Sequence, residues 1–213
     1  GAIEEIKSNL SSYESLVESG VKLDQTLKDE FAKMGEAGGK YMKNCNEFLE
    51  SQNEQLSAEL SSKDTSTAKL TERIEKFNDI NVLLTLGYEA RLANVTAQST
   101  RNKDLMQKII NEKFPVIEER IKDIEKITRK DVNLRQLANI REAANEYRSA
   151  MSDYLETWNK RDDANDQRRK IGNDVNTSVA ALSKAAADGA TSIASAAVAA
   201  LGMASTIMVY GLI

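Results

Sequence analysis

The chain has 213 residues, a net charge of −4, 5% aromatic residues, one proline (Pro115), one cysteine (Cys45) and no histidine. Without histidine there is no Ser-His-Asp triad, Cys-His dyad or histidine-rich zinc site, and a single cysteine closes no intrachain disulfide and builds no thiolate cluster. So few prolines and aromatics argue against a sandwich or barrel of many short strands, and the mildly acidic balance disfavours binding to a phosphate backbone.

What remains is a long-helix composition. Residues 2 to 62 carry an apolar seam that steps by three and four: Ile3, Ile6, Leu10, Tyr13 and Val17, then Leu27, Phe31, Met34, Gly38, Tyr41, Cys45 and Phe48. The stretch SSKDTST at 61–67 has no apolar anchor and reads as a turn. A second seam follows through Leu70, Ile74, Phe77, Asn81, Leu84, Tyr88, Arg91, Val95, Gln98, Asn102, Leu105 and Ile109. Pro115 marks a kink or break near residue 112, after which Val116, Ile117, Ile121, Ile124 and Ile127 resume the pattern. RKDVN at 129–133 reads as a second turn, with Asp131 or Asn133 as N-cap. The last helix starts near Leu134, and its seam runs through Leu137, Ile140, Ala144, Tyr147, Met151, Tyr154, Trp158, Arg161, Asn165, Arg168, Gly172, Val175, Val179 and Leu182.

The expected fold is therefore all-α: an elongated antiparallel bundle of three long rods, the middle one kinked near Pro115, with the C-terminal helix continuing into an apolar span. Rods of about 60 residues each span roughly 90 Å, and short turns make neighbours antiparallel. This layout puts the N-terminus and the 129–133 turn at one end, and the 61–67 turn and the start of the apolar tail at the other. The wide stripe at Leu16, Val17 and Val21 calls for a fourth partner, either a preceding helix or a second copy. Residues 193–213, IASAAVAALGMASTIMVYGLI, carry no charged side chain. As a helix they reach about 31 Å, the thickness of a bilayer's hydrocarbon core. The alternative is an Ala-rich helix buried in protein, for which large apolar partners are scarce. The expected division is a sensor region at 1–192 and the start of a membrane span at 193–213. No signal peptide or earlier span is legible at the N-terminus, and Gly1-Ala2 reads as a remnant of a chain that began earlier.

The first and last helices share a pattern. From Tyr13 the chain reads YESLVESGVKLDQTLKDEFAKMGEAG and from Tyr147 it reads YRSAMSDYLETWNKRDDANDQRRKIG, each placing a glycine 25 residues after the tyrosine, at Gly38 and Gly172. The segment YRSAMSDYLETWNKRDDANDQRRKIGNDVNTSVAALSKAA (147–186) with the apolar run behind it, and GYEARLANVTAQST (87–100), resemble the extracytoplasmic sensor region of bacterial methyl-accepting chemotaxis proteins. The nearest variety is the helical bimodular type, two stacked four-helix bundles built from six helices. The resemblance implies a homodimer, an inner-membrane location with residues 1–192 periplasmic, and a cytoplasmic kinase partner reached through segments outside this chain. It also implies a first membrane span and two earlier helices that this sequence does not carry. A pocket shared with those helices would be incomplete here.

Candidate ligand contacts come from the places where two seams turn polar. Arg161, Asn165 and Arg168 occupy core-type positions on the last helix, and Arg91, Gln98 and Asn102 do so on the second. Folding the chain about residue 131 sets Asn102 opposite Arg161, Gln98 opposite Asn165 and Val95 opposite Arg168, with Arg91 level with Gly172, Gly38 and Gly39. Buried arginines need anionic partners. Either a small organic acid bridges them, since a guanidinium fork matches a carboxylate, or Asp162, Asp163, Asp24 or Glu89 pairs with them internally. In the first case the arginines supply charge, and Gln98, Asn102 and Asn165 orient the ligand. Tyr147 is a further candidate contact, though core packing with a tethered hydroxyl is the commoner role of such a residue. Trp158 reads as an apolar plug and Cys45 as a small buried hydrophobe. No phosphate loop, calcium loop or catalytic carboxylate pair is present, so no enzyme activity, metal, cofactor or nucleic-acid partner is expected. The expected function is ligand sensing in a transmembrane chemoreceptor. The alternative is a tail-anchored tether or membrane-active bundle without a small-molecule ligand.

Overall fold

A computed structural model of the chain describes residues 2–62 and 66–210, with side chains through Gly202. Residues 63–65 of the first expected turn and 211–213 of the apolar tail lie outside the described residues. The structure is all-α, with helices α1 (Ala2–Ser61), α2 (Thr67–Thr100), α3 (Lys103–Lys126) and α4 (Asp131–Tyr210). The middle rod is thus two helices. Its interruption falls at Arg101–Asn102, and the helix continues through Pro115.

The break has a local cause. Arg101 takes a left-handed conformation (φ 53°), and the amides of Arg101 and Asn102 close back on the carbonyls of Gln98 and Ala97. This is the glycine-type helix stop, made here by an arginine. Asn102 then starts the next helix, its Oδ1 accepting from the Leu105 amide at 3.1 Å.

The chain divides into two compact units. Unit 2 is Leu23–Lys160, and unit 1 is Gly1–Lys22 with Arg161–Ile213. Unit 2 is an antiparallel four-helix bundle. Its α1–α2 pairing is fixed by Arg73–Glu59 and by the Tyr41 hydroxyl donating to the Leu83 carbonyl at 2.8 Å. Lys113–Glu89 and Arg120–Asp79 join α2 to α3. Arg141–Glu125 and the edge-on ring pair Phe114–Tyr147 join α3 to α4. Thr157–Glu30 and Gln55–Asn133 return α4 to α1. Within this unit the chain itself supplies four helices, whereas the stripe at Leu16, Val17 and Val21 that called for a further partner belongs to unit 1, with Val21 exposed. The C-terminal ends of α1 and α3 also share one end of unit 2, not opposite ends as expected of the two turns, because the extra turn at Arg101–Asn102 reverses the chain once more. Asn133 is not an N-cap: it lies inside α4, buried, its Oδ1 accepting from Gln55 at 3.2 Å.

The core is continuous from Met34 through Phe48, Ile80, Ile121 and Ile140 to Met151. Within unit 2 the seams of α1, α3 and α4 lie as the spacing predicts, apart from Phe31, which is exposed; in unit 1 Ile3, Leu10, Val179 and Leu182 of the expected seams are exposed as well. The seam of α2 does not lie as predicted. The buried positions are Arg73, Lys76, Ile80, Leu83, Leu84, Leu86, Gly87, Ala90, Asn94 and Ala97, most of them one residue off the expected stripe. Ile74, Tyr88, Leu92 and Val95 face solvent at 55%, 60%, 70% and 59% exposure. Small residues decide this: Gly87, Ala90 and Ala97 let α2 approach its neighbours closely, and dense packing outweighs the apolar bulk of the outer face.

Unit 1 pairs the first turns of α1 with the continuation of α4. Tyr13 lies beside Gly172, where an added Cβ would meet its ring at 3.6 Å. Among the described residues one helix, α4, contains a stretch long and apolar enough to cross a membrane, and none of that stretch is buried in protein. Ile193, Val198 and Leu201 are exposed on it.

Candidate functional site

The seven candidate residues fall into both units. Arg91, Gln98, Asn102 and Tyr147 belong to unit 2, and Arg161, Asn165 and Arg168 to unit 1. The seam shift puts Arg91 on the outer face of α2, exposed, so no desolvation cost has to be met there. Gln98 meets Tyr154, whose hydroxyl donates to Gln98 Oε1 at 3.3 Å, while the Gln98 amide donates to Asn94 at 2.7 Å. The expected face-off of Gln98 with Asn165 is therefore replaced: the additional helix α3 makes α2 and α4 run parallel within the bundle. Asn102 is occupied as a cap. In unit 1 Arg161, Asn165 and Arg168 are half-buried, and Arg161 Nε lies 3.6 Å from Asp162, one of the internal partners foreseen. Glu89, another of them, pairs with Lys113 at 2.7 Å.

Tyr147 is core. Its ring stands edge-on to Phe114 at 5.6 Å and covers Gly38, where an added Cβ would sit 3.2 Å from the ring carbon bearing the hydroxyl. Burial pushes its phenol up to about 12, with the positive charge of Arg91 acting in the opposite sense. The tyrosine and glycine of the two related segments are thus exchanged. Tyr147 packs on Gly38 in unit 2, and Tyr13 on Gly172 in unit 1.

The principal polar cluster lies elsewhere. Near the end of unit 2 where α1 and α3 terminate, Arg73 is almost fully buried. Its Nη2 and Nε donate to both Glu59 oxygens at 2.6 and 3.3 Å, and its Nη1 donates to Gln52 Oε1. Lys76, equally buried, reaches Glu72 at 2.6 Å. Ser51, Gln55 and Asn133 complete the layer. Arg73 holds the Glu59 carboxyl below its ordinary range, chiefly by hydrogen bonding. The guanidinium is consumed by internal acceptors, which is the arrangement of a register-fixing ion pair rather than an open anion site. Sequence reading missed it because Arg73 and Lys76 flank the seam that Ile74 and Phe77 appointed. The signal was the alternative stripe through Gly87, Ala90 and Ala97.

Two grooves mark unit 2. One, of about 500 Å³, lies between α1 and α4 and is lined by Glu30, Lys33, Glu36, Lys40, Glu146 and Asp153 among others. Lys40 closes part of it by pairing with Glu146 at 2.8 Å, and Glu30 accepts from the Thr157 hydroxyl at 3.0 Å. The other, of about 430 Å³, lies between α3 and α4 around Phe114, Pro115, Ile117, Arg141, Ala144 and Arg148. Among the described residues no group of three or more acidic or cysteine side chains is placed to hold a metal ion. Comparison of the chain with protein-family models, curated proteins and solved structures finds no match in any of the three.

Proposed function

We propose that this chain is the extracytoplasmic sensor region of a transmembrane receptor of the chemotaxis type, binding a small organic acid and passing the signal along α4. The observation that carries the reading is the continuity of α4: one helix, Asp131–Tyr210, supplies core residues Leu137, Ile140, Tyr147 and Met151 to the four-helix bundle and also contains the exposed apolar stretch. In this reading a small axial shift or rotation passes along the continuous helix, and a ligand that prefers one packing of the bundle shifts that equilibrium. The exposed stripe of Tyr88, Leu92 and Val95 on α2 offers a face to the homodimer that such a receptor forms.

The test has two arms. The whole chain should float with phospholipid vesicles in a density gradient, and a chain ending at residue 192 should not. A panel of small carboxylates should raise the melting temperature of the detergent-solubilised chain, as any native-state ligand does. Flotation without a thermal shift from any acid supports instead the tail-anchored tether, which the internal closure of the Arg73–Glu59–Gln52 layer also favours.

A further inference from the structure

The α3–α4 groove of unit 2 combines three features that the sequence did not single out. Its floor is apolar, made of Phe114, Ile117 and Ala144, all buried. Its rim is basic: Lys122, Arg141 and Arg148 stand around one carboxylate, Glu118, in a protein whose net charge is −4. And the rim cations are not equivalent. Arg141 is held by Glu125 at 2.7 Å and by Glu118 at 3.1 Å, and Lys122 shares Glu118 at 3.3 Å. Arg148 is exposed and has no ion-pair partner among the described residues. Pro115 forms part of the wall. It has no amide hydrogen, so the carbonyl of Asn111 lacks its helical donor on this side of α3.

We infer that this groove binds a monocarboxylate with an apolar body, an aromatic or short-chain acid, the body lying on Phe114, Ile117 and Ala144 and the carboxylate taken by Arg148. An arginine fork with no acceptor of its own matches a carboxylate in two parallel bonds. The volume of about 430 Å³ falls within the ~300–1,000 Å³ of small-molecule sites. The acidic α1–α4 groove repels such a ligand, and Arg91 lines neither groove. Because the groove is bounded by α4, occupancy acts on the helix that carries the apolar span. The inference deepens the sensor reading and rests on it for that last step, while the binding itself does not.

The experiment is calorimetric titration of the whole chain in detergent micelles with benzoate, beside the wider carboxylate panel. Benzoate should bind. Arg148→Ala should weaken it about tenfold or more, the loss expected for a charge-assisted hydrogen bond, and Arg148→Lys by less. Asn145→Trp, at an exposed position lining the groove, should block it, and Arg91→Ala should leave it unchanged. Both altered groove positions are exposed, so helicity by circular dichroism should not change. Binding of benzoate indifferent to Arg148→Ala and Asn145→Trp overturns this site and leaves the sensor reading standing. Binding of polar di- or tricarboxylates but of neither benzoate nor a short-chain monocarboxylate overturns the ligand class alone. Failure of every carboxylate overturns both.

Discussion

Gly87 is the place where one missing methyl sets the bundle. A Cβ there would lie 2.6 Å from both Met42 Sδ and Tyr41 Cε1, and Tyr41 cannot withdraw, being buried and bonded to the Leu83 carbonyl. Gly87→Ala gains about 1 kcal/mol of helix propensity but overpacks a site that resists by about 1–3 kcal/mol. The expected result in urea unfolding is a net loss of stability. Gly172→Ala, whose Cβ meets Tyr13 at an ordinary 3.6 Å, should be neutral or stabilising. Charge is as local. The folded-state pKa of Glu59 is depressed by Arg73, so its contribution is present above the ordinary glutamate value and disappears as pH falls through the depressed one. Asp79, raised chiefly by desolvation, contributes in the opposite sense. Glu59→Gln should cost about 2 kcal/mol at neutral pH, less than a fully buried pair because Glu59 keeps 22% of its side-chain surface. It should also flatten the acid limb of a stability-versus-pH curve. An unchanged acid limb would mean that other carboxylates govern acid unfolding.

At the scale of elements, the consequential feature is the α2–α3 turn. An arginine at φ 53° is strained where glycine would be at ease. Arg101→Gly should therefore stabilise unit 2 by about 0.5–1 kcal/mol. Asn102→Ala, which removes the cap on Leu105, should destabilise it by about 1 kcal/mol. Both are read from thermal or urea midpoints. The turn was hard to foresee because its stop residue is not glycine and its neighbours SerThrArgAsn fit a continuing helix as well as a break. Pro115, the more conspicuous signal, sits inside α3 on an exposed position, where the lost hydrogen bond faces away from the core. The seams of α1, α3 and α4 were legible because large apolar residues mark them. The seam of α2 was not, because large apolar residues stand on both of its faces, and beyond Ile80, Leu83, Leu84 and Leu86 its buried stripe is built from glycine, alanine, asparagine and the carbon stems of Arg73 and Lys76.

At the scale of the molecule, protection is unequal. Hydrogen exchange should be slowest around Phe48, Ile80, Ile121, Ile140 and Met151, which have no exposed surface. It should be fast across residues 179–192 of α4, where every position is exposed. The apolar stretch behind them should become protected only on adding detergent or vesicles, and protection in buffer alone would mean that protein, not lipid, covers it.

The all-helical class, the seams of three helices and the uncharged terminal run are determined by the sequence itself, because periodicity and composition are local properties that need no partner to be read. Even the tyrosine–glycine spacing was visible, although its meaning was not. Which tyrosine covers which glycine, which face of α2 is inside, where the middle rod turns, and that Arg73 is buried beside Glu59 while Arg148 stands exposed over a groove were decided by tertiary structure. Each of these depends on how closely two helices can approach, and that distance is set by small residues on both partners at once. No single strand of sequence states it.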